Sequence, residues 1–162
     1  MKLSSSAFTK GGEIDKTHTI EGVDISPELA WTGIPAGTQS FALICEDPDA
    51  PSPRKPAADP WVHWIIFNIP ADATRLRSGI ERTLEPEEVS GARQGVNSWS
   101  RGNVGYRGPA PPPGSGKHRY LFRLFALDSA LELEAGATKQ QLLEKMAGHV
   151  ITECQLVGTY ER

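Results

Sequence analysis

Three groups of residues in this chain have the types and spacing to do chemistry. The first is Asp47-Pro48-Asp49-Ala50-Pro51, which follows directly on the apolar run Ser40-Phe41-Ala42-Leu43-Ile44-Cys45-Glu46. A carboxylate just past a buried strand sits at a sheet edge, where clefts form, although an Asp before Pro also simply starts turns. The second is His63, held among apolar neighbours in Trp61-Val62-His63-Trp64-Ile65-Ile66-Phe67. Strict alternation puts it on the face of Trp61, Ile65 and Phe67. It is there either as a satisfied core histidine or as a ligand group, and burial should lower its pKa unless an anion or carboxylate lies near. The third is the run Gly105-Tyr106-Arg107-Gly108-Pro109-Ala110-Pro111-Pro112-Pro113-Gly114-Ser115-Gly116-Lys117-His118-Arg119-Tyr120. Proline stiffens such a loop and glycine lets a backbone come close. Amides beside the glycines can face an anion, and His118 stands where the chain re-enters a strand. A flexible surface loop and a polyproline ligand for a partner domain are the competing readings.

Two histidines and a carboxylate are also the kernel of a hydrolase, with His63 or His118 as general base and Asp47 orienting it. The sequence supplies no nucleophile motif to complete it. There is no Gly-x-Ser-x-Gly, Walker A or Gly-x-Gly-x-x-Gly sequence, and no Cys-x-x-Cys pair. Asp47, His63 and His118 have the ligand types zinc accepts, but their spacing does not support a metal site. No enzymatic activity, metal or cofactor is expected on this ground.

The elements that must position these groups read as strands separated by turns. Thirteen prolines and sixteen glycines, spread between short apolar runs, point to a β-dominated domain. Residues 40–46, 61–69 and 118–128 read as strands. The second is apolar on both faces and is expected to be covered on both. Along the third, His118, Tyr120, Phe122, Leu124 and Ala126 share one face. Residues 71–100 read as excursions with short strands or turns, and 102–116 as a loop. Thr138-Lys139-Gln140-Gln141 has the spacing of a capping box. Leu142, Leu143, Met146 and Val150 follow it at helical spacing, with Gly148 weakening the end. Residues 154–160 alternate as a last strand.

At 162 residues the chain fits a single domain, 1–162, that can bury a core without staples. A net charge of −3 argues against nucleic-acid binding. No apolar run reaches the ~18 residues of a membrane span, so no integral membrane association is expected. The start has no signal-peptide stretch, so a cytoplasmic location is expected. Cys45 and Cys154 are expected to be reduced, buried thiols rather than a disulfide.

Taken together and in order, these motifs resemble the phosphatidylethanolamine-binding proteins, a family that includes the Raf kinase inhibitor protein and plant flowering regulators. The matching pieces are Asp47-Pro48-Asp49-Ala50-Pro51, Trp61-Val62-His63-Trp64, and Gly108-Pro109 through Pro111-Pro112 and Gly114 to His118-Arg119-Tyr120. Ser26-Pro27-Glu28-Leu29-Ala30-Trp31 and Gly158-Thr159-Tyr160 also match, so the resemblance covers nearly the whole chain. Phe122-Arg123-Leu124-Phe125-Ala126-Leu127-Asp128 and Gly148-His149-Val150 look like the short prokaryotic branch.

The resemblance implies a mainly β fold: an antiparallel β-sandwich of one large and one smaller sheet with one or two peripheral helices. It implies a small pocket lined by Asp47, His63, Gly108, Pro112 and His118, organised by Asp49 and supported by Trp61, Tyr106 and Tyr120. The expected ligand is a small anion: phosphate, a carboxylate or a phospholipid headgroup. Affinity is expected to be highest at low pH, with Asp47 kept ionised by a nearby imidazolium. A homodimer is expected, and regulation of a kinase or protease is a role the resemblance raises without naming a partner. Eukaryotic members continue into a C-terminal helix carrying a pocket tyrosine, a wall this chain is expected to lack or supply otherwise. Ala110 also stands where those members often have Gly.

Overall fold

Apolar residues that alternate, or that run unbroken between Pro and Gly, become strands wherever a neighbour completes their hydrogen bonds. The computed structural model describes residues 1–162 and contains eight such strands and one α-helix. In chain order they are β1 (Lys2–Ser4), β2 (Leu29–Thr32), β3 (Ser40–Asp47), β4 (Trp61–Pro70), β5 (Arg75–Leu76), β6 (Arg93–Gln94), β7 (His118–Leu127), α1 (Lys139–Met146) and β8 (Val150–Tyr160). A 3-10 turn spans Lys16–His18. The strands form two antiparallel sheets, a small one ordered β1-β2-β5 and a large one ordered β6-β4-β3-β7-β8. This is the mainly β, two-sheet architecture expected.

The large sheet is buried on both faces. On one, Phe41, Leu43, Cys45, Trp64, Ile66, Phe122 and Leu124 join Leu3, Leu29 and Trp31 of the small sheet in the main core. On the other, Ala42, Ile44, Ile65, Phe67, Phe125 and Leu127 pack beneath Leu142 and Met146 of α1. Thr138 caps that helix by accepting from the Gln141 amide, while Gln141 Oε1 accepts from the Thr138 amide at 2.9 Å, so two otherwise orphaned donors are satisfied. Lys139 also pairs with Glu46, a carboxylate buried in β3.

Three expectations are corrected here. The helix stops at Met146, because Gly148 turns the chain with φ +83, and Val150 opens β8 rather than continuing the helix. Leu143 points outward. The two cysteines are free, but only Cys45 is buried; Cys154 is half-buried.

The third correction sets up the site. Trp64 pairs with Cys45 and Val62 with Glu46, so His63 is an extra residue in β4 opposite a single step of β3. A bulge re-aims the side chain it carries. His63 therefore leaves the face of Ile65 and Phe67 and packs against Tyr120, whose ring lies 5.0 Å away on the main-core side.

Candidate functional site

The open end of the large sheet gathers residues from distant parts of the chain. Asp47 ends β3, Trp61 and His63 begin β4, and His118 begins β7. Together with Pro112, Asp59 and Trp99 they line one cavity of about 360 Å³. That volume falls in the range of small-ligand sites. The remaining wall is apolar and proline-rich: Ala50, Pro51, Ala57, Ala110 and Pro111.

Asp47 and His118 are joined directly. His118 Nδ1 lies 2.7 Å from Asp47 Oδ2, and both side chains are buried. A carboxylate only accepts, so Nδ1 carries the proton. In the neutral imidazole that leaves Nε2 to accept from the Ser115 hydroxyl, 3.0 Å away. The other Asp47 oxygen accepts from the Asp49 amide at 2.7 Å, an Asx turn that shapes the loop after β3. Burial raises the Asp47 carboxyl above its ordinary value and outweighs the hydrogen bonds from His118 and Asp49, which act in the opposite sense. The neighbouring imidazole does lower it, as expected, but desolvation is the larger influence and the net shift is upward.

Asp49 organises the loop from outside the cavity. It accepts from the Arg119 amide, Nε and Nη2 at 2.9, 2.8 and 2.8 Å, which ties the loop after β3 to the start of β7. The hydrogen bond from the Arg119 side chain is the main reason its carboxyl is held below the usual carboxylate value.

His63 is held by the loop that precedes β7. Its Nδ1 lies 2.6 Å from the Arg107 carbonyl, and the Arg107 amide donates to the His63 carbonyl at 3.0 Å. A carbonyl only accepts, so Nδ1 is protonated and Nε2 is an acceptor without a partner in the chain. Burial lowers the pKa to about 4, against the opposing pull of the Arg107 carbonyl and the Asp24 charge. His63 is thus neutral at ordinary pH.

Gly108 and Tyr106 do not line the cavity. The Gly108 amide donates to Asp24 at 2.7 Å, and a Cβ there would lie 2.2 Å from the His18 carbonyl oxygen. The glycine is a point of close backbone approach, not an anion donor. Tyr106 is a core residue: it packs on Trp64 with ring centroids 5.7 Å apart and donates to the His18 carbonyl. Tyr120 supports the His63 ring from below, and its buried hydroxyl has no partner within the protein. Trp61 stands half-exposed at the mouth.

Sequence reasoning missed Trp99, Ser115 and Asp24. Trp99 packs edge-on against His63 at 4.8 Å and Trp61 at 5.6 Å. It is placed by Asn97, which accepts from the Trp99 amide and donates to Asn103 and the Gly105 carbonyl. Asp24, at φ +62, receives Gly108 and forms ion pairs with Arg82 and Arg107. Asn97 two residues before an aromatic was a usable signal for the first; nothing local marked Asp24.

Two packed antiparallel sheets with a polar-floored cavity at one end define a small β protein built around a ligand-sized site. The family model for phosphatidylethanolamine-binding proteins matches residues 4–161. The chain is 48% identical over its whole length to a UPF0098 protein of Methanothermobacter thermautotrophicus, covering 99% of that protein. A solved phosphatidylethanolamine-binding protein homologue from Chlamydia trachomatis is 40% identical, with a TM-score of 0.85 over 99% of this chain and 97% of that one. Escherichia coli YbcL, described as a member of the mammalian family, is 28% identical, with a TM-score of 0.87 over 99% and 98% of the two chains. The chain belongs to the phosphatidylethanolamine-binding protein family, in its prokaryotic branch, and that membership supports a ligand-binding protein. No helix is long and apolar enough to cross a membrane.

Proposed function

We propose that the protein binds a small oxyacid, a carboxylic acid or phosphomonoester headgroup, in a form that keeps a proton on the ligand. The observation that carries this is the state of His63: neutral, with an acceptor nitrogen on a cavity whose only charged lining residues are Asp47 and Asp59. No Lys or Arg lines the cavity to neutralise a dianion. A ligand hydroxyl donates to His63 Nε2, and the ligand's other oxygen accepts from a backbone amide. In the Gly108–Pro112 wall that amide is Ala110, since Gly108 is bonded to Asp24 and the other three residues are prolines. The proline wall and the two indoles enclose whatever the acid is attached to.

Binding of a ligand is what the cavity supports; regulation of a kinase or protease draws on no feature of it. The test is titration calorimetry with acetate, phosphate and phosphoethanolamine, on the natural protein and on His63→Asn. Asparagine can still donate to the Arg107 carbonyl but offers nothing at the Nε2 position. Saturable binding that weakens about 10-fold in the variant is expected, the upper end for one hydrogen bond between uncharged groups. Equal affinities in the two proteins, or no binding of any of the three, would overturn the reading. The preferred acid among the three separates a headgroup from free phosphate and from a carboxylate.

A further inference from the structure

Ser115, His118 and Asp47 form a chain of hydrogen bonds whose order has a chemical meaning. Ser115 Oγ lies 3.0 Å from His118 Nε2, and His118 Nδ1 lies 2.7 Å from Asp47 Oδ2. A hydroxyl on a histidine that a buried carboxylate orients from behind is the arrangement that activates a serine. The three come from the loop before β7, the first residue of β7 and the last residue of β3. Asp47 and His118 are 71 positions apart, and no nucleophile motif surrounds the serine.

We propose that Ser115 is a nucleophile and that the protein hydrolyses small uncharged carboxylic esters at the cavity. The inference rests on the binding reading above, because the acid that the cavity binds is then the product of the reaction.

The surroundings of Ser115 fit that role. Its side chain is half-buried, whereas His118 is fully buried, so the serine is the member of the chain that a substrate can reach. It sits between Gly114 at φ +74 and Gly116 at φ +103, a sharp turn that presents the side chain. A Cβ at Gly116 would meet nothing nearer than Pro53 Cγ at 4.0 Å, which leaves the approach open. The amides of Gly116 and Lys117, directly after the serine, make no hydrogen bond within the chain. They are donors available to an oxyanion. The cavity adjoins the serine through His118 and through Pro112, whose carbonyl accepts from the Ser115 amide at 3.0 Å.

Charge selects the substrate. Asp47 and Asp59 would repel a dianionic phosphomonoester, and no cation lines the cavity to offset them. A carboxylic ester is uncharged, and an acyl group of modest size fits about 360 Å³ between Trp61, Trp99 and the prolines.

Ser115 Oγ bonds to the acyl carbon while its proton passes to His118 Nε2, and Asp47 stabilises the resulting imidazolium. Collapse of the tetrahedral adduct breaks the carbon–oxygen bond to the alcohol, which leaves with the proton from Nε2. Water then attacks the acyl-serine with His118 again accepting a proton. The acid is released and the serine hydroxyl is restored.

The experiment uses a fluorophosphonate probe, read by intact-protein mass and peptide mapping, alongside hydrolysis of p-nitrophenyl butyrate. One adduct per chain, located on Ser115, is expected, and none on Ser115→Ala. Asp47 is a positioning residue, so Asp47→Asn tests it through a pH profile. The amide would hold His118 in the opposite tautomer. Labelling at neutral pH should drop about 100-fold or more and climb with hydroxide, where the natural protein levels off. No adduct, an adduct elsewhere, or an unchanged profile in Asp47→Asn overturns the inference. Acetate and phosphate titrations on the same samples separate the two readings. Acid binding without a Ser115 adduct sinks the nucleophile alone, and a Ser115 adduct without acid binding sinks the binding reading alone.

Discussion

Replacing His63 with asparagine should make the fold less sensitive to acid. Unfolded, an imidazole titrates near ~6.5; folded, burial holds His63 at about 4. Between those values the unfolded chain binds a proton that the folded chain does not. Stability contributed by the neutral, buried ring is therefore complete above the unfolded pKa and falls as pH drops toward the folded one. From pH 7 to pH 4.5 the loss through this group is about 2 kcal/mol, approaching about 3 kcal/mol only below the folded pKa. His63→Asn keeps a donor for the Arg107 carbonyl and removes the titration. The variant should be less stable at pH 7 by about 1–3 kcal/mol, the cost of an under-filled buried site. That deficit should shrink by about 2 kcal/mol at pH 4.5. Urea unfolding at both pH values, on both proteins, gives the double difference in which other titrating groups cancel. If the two proteins lose the same stability over this range, His63 does not titrate as its burial requires.

Other outcomes follow from the same contacts. Asp47→Ala should cost roughly 2–5 kcal/mol, because the His118 Nδ1–H and the Asp49 amide lose their buried acceptor. Asp47→Asn should cost less than about 1.5 kcal/mol, since the amide can bond both groups and the desolvated charge is gone; equal losses in urea unfolding would refute this. Gly108→Ala places a carbon 2.2 Å from the His18 carbonyl and should destabilise by about 3 kcal/mol or more, which an unchanged melting temperature would contradict. A sulfonate of fixed charge should bind most tightly below about pH 4, where free His63 is protonated. Its affinity should fall as pH rises toward the pKa of the complex and then level off; calorimetry showing the steepest change centred on the ordinary imidazole value would place the titration elsewhere. A homodimer is expected through the open half of β8. There Val150 and Ile151 are 43% and 39% exposed, while Gly11 to Ile14 covers the other half. Light scattering that gives the mass of one chain at high micromolar concentration would exclude it.

Local pattern alone was enough for the long strands, the helix cap and the residue types of the site. Phe41 to Cys45 and Trp61 to Ile69 are apolar runs, the second bounded by Pro60 and Pro70, and His118 to Leu127 alternates after Gly116; a strand is the main way to bury such segments with every amide paired. Thr138 and Gln141 cap a helix through contacts three residues apart, which a sequence displays directly. Asp47, His63 and His118 were legible as candidates because polar groups next to buried strands are costly unless they serve a purpose. What each candidate does was decided by tertiary structure. The bulge at His63 arises from the pairing of β4 with β3, and it moves the ring to a face that alternation denied it. Gly108 had the right type for an anion contact, but Asp24, from a loop far away in sequence, takes its amide. The protonation of Asp47 and His63 depends on how much water their neighbours exclude, a property of packing and not of residue type. Ser115 carried no signal at all: its place at the end of a hydrogen-bonded chain through His118 to Asp47 exists only because the antiparallel pairing of β3 with β7 brings Asp47 behind His118.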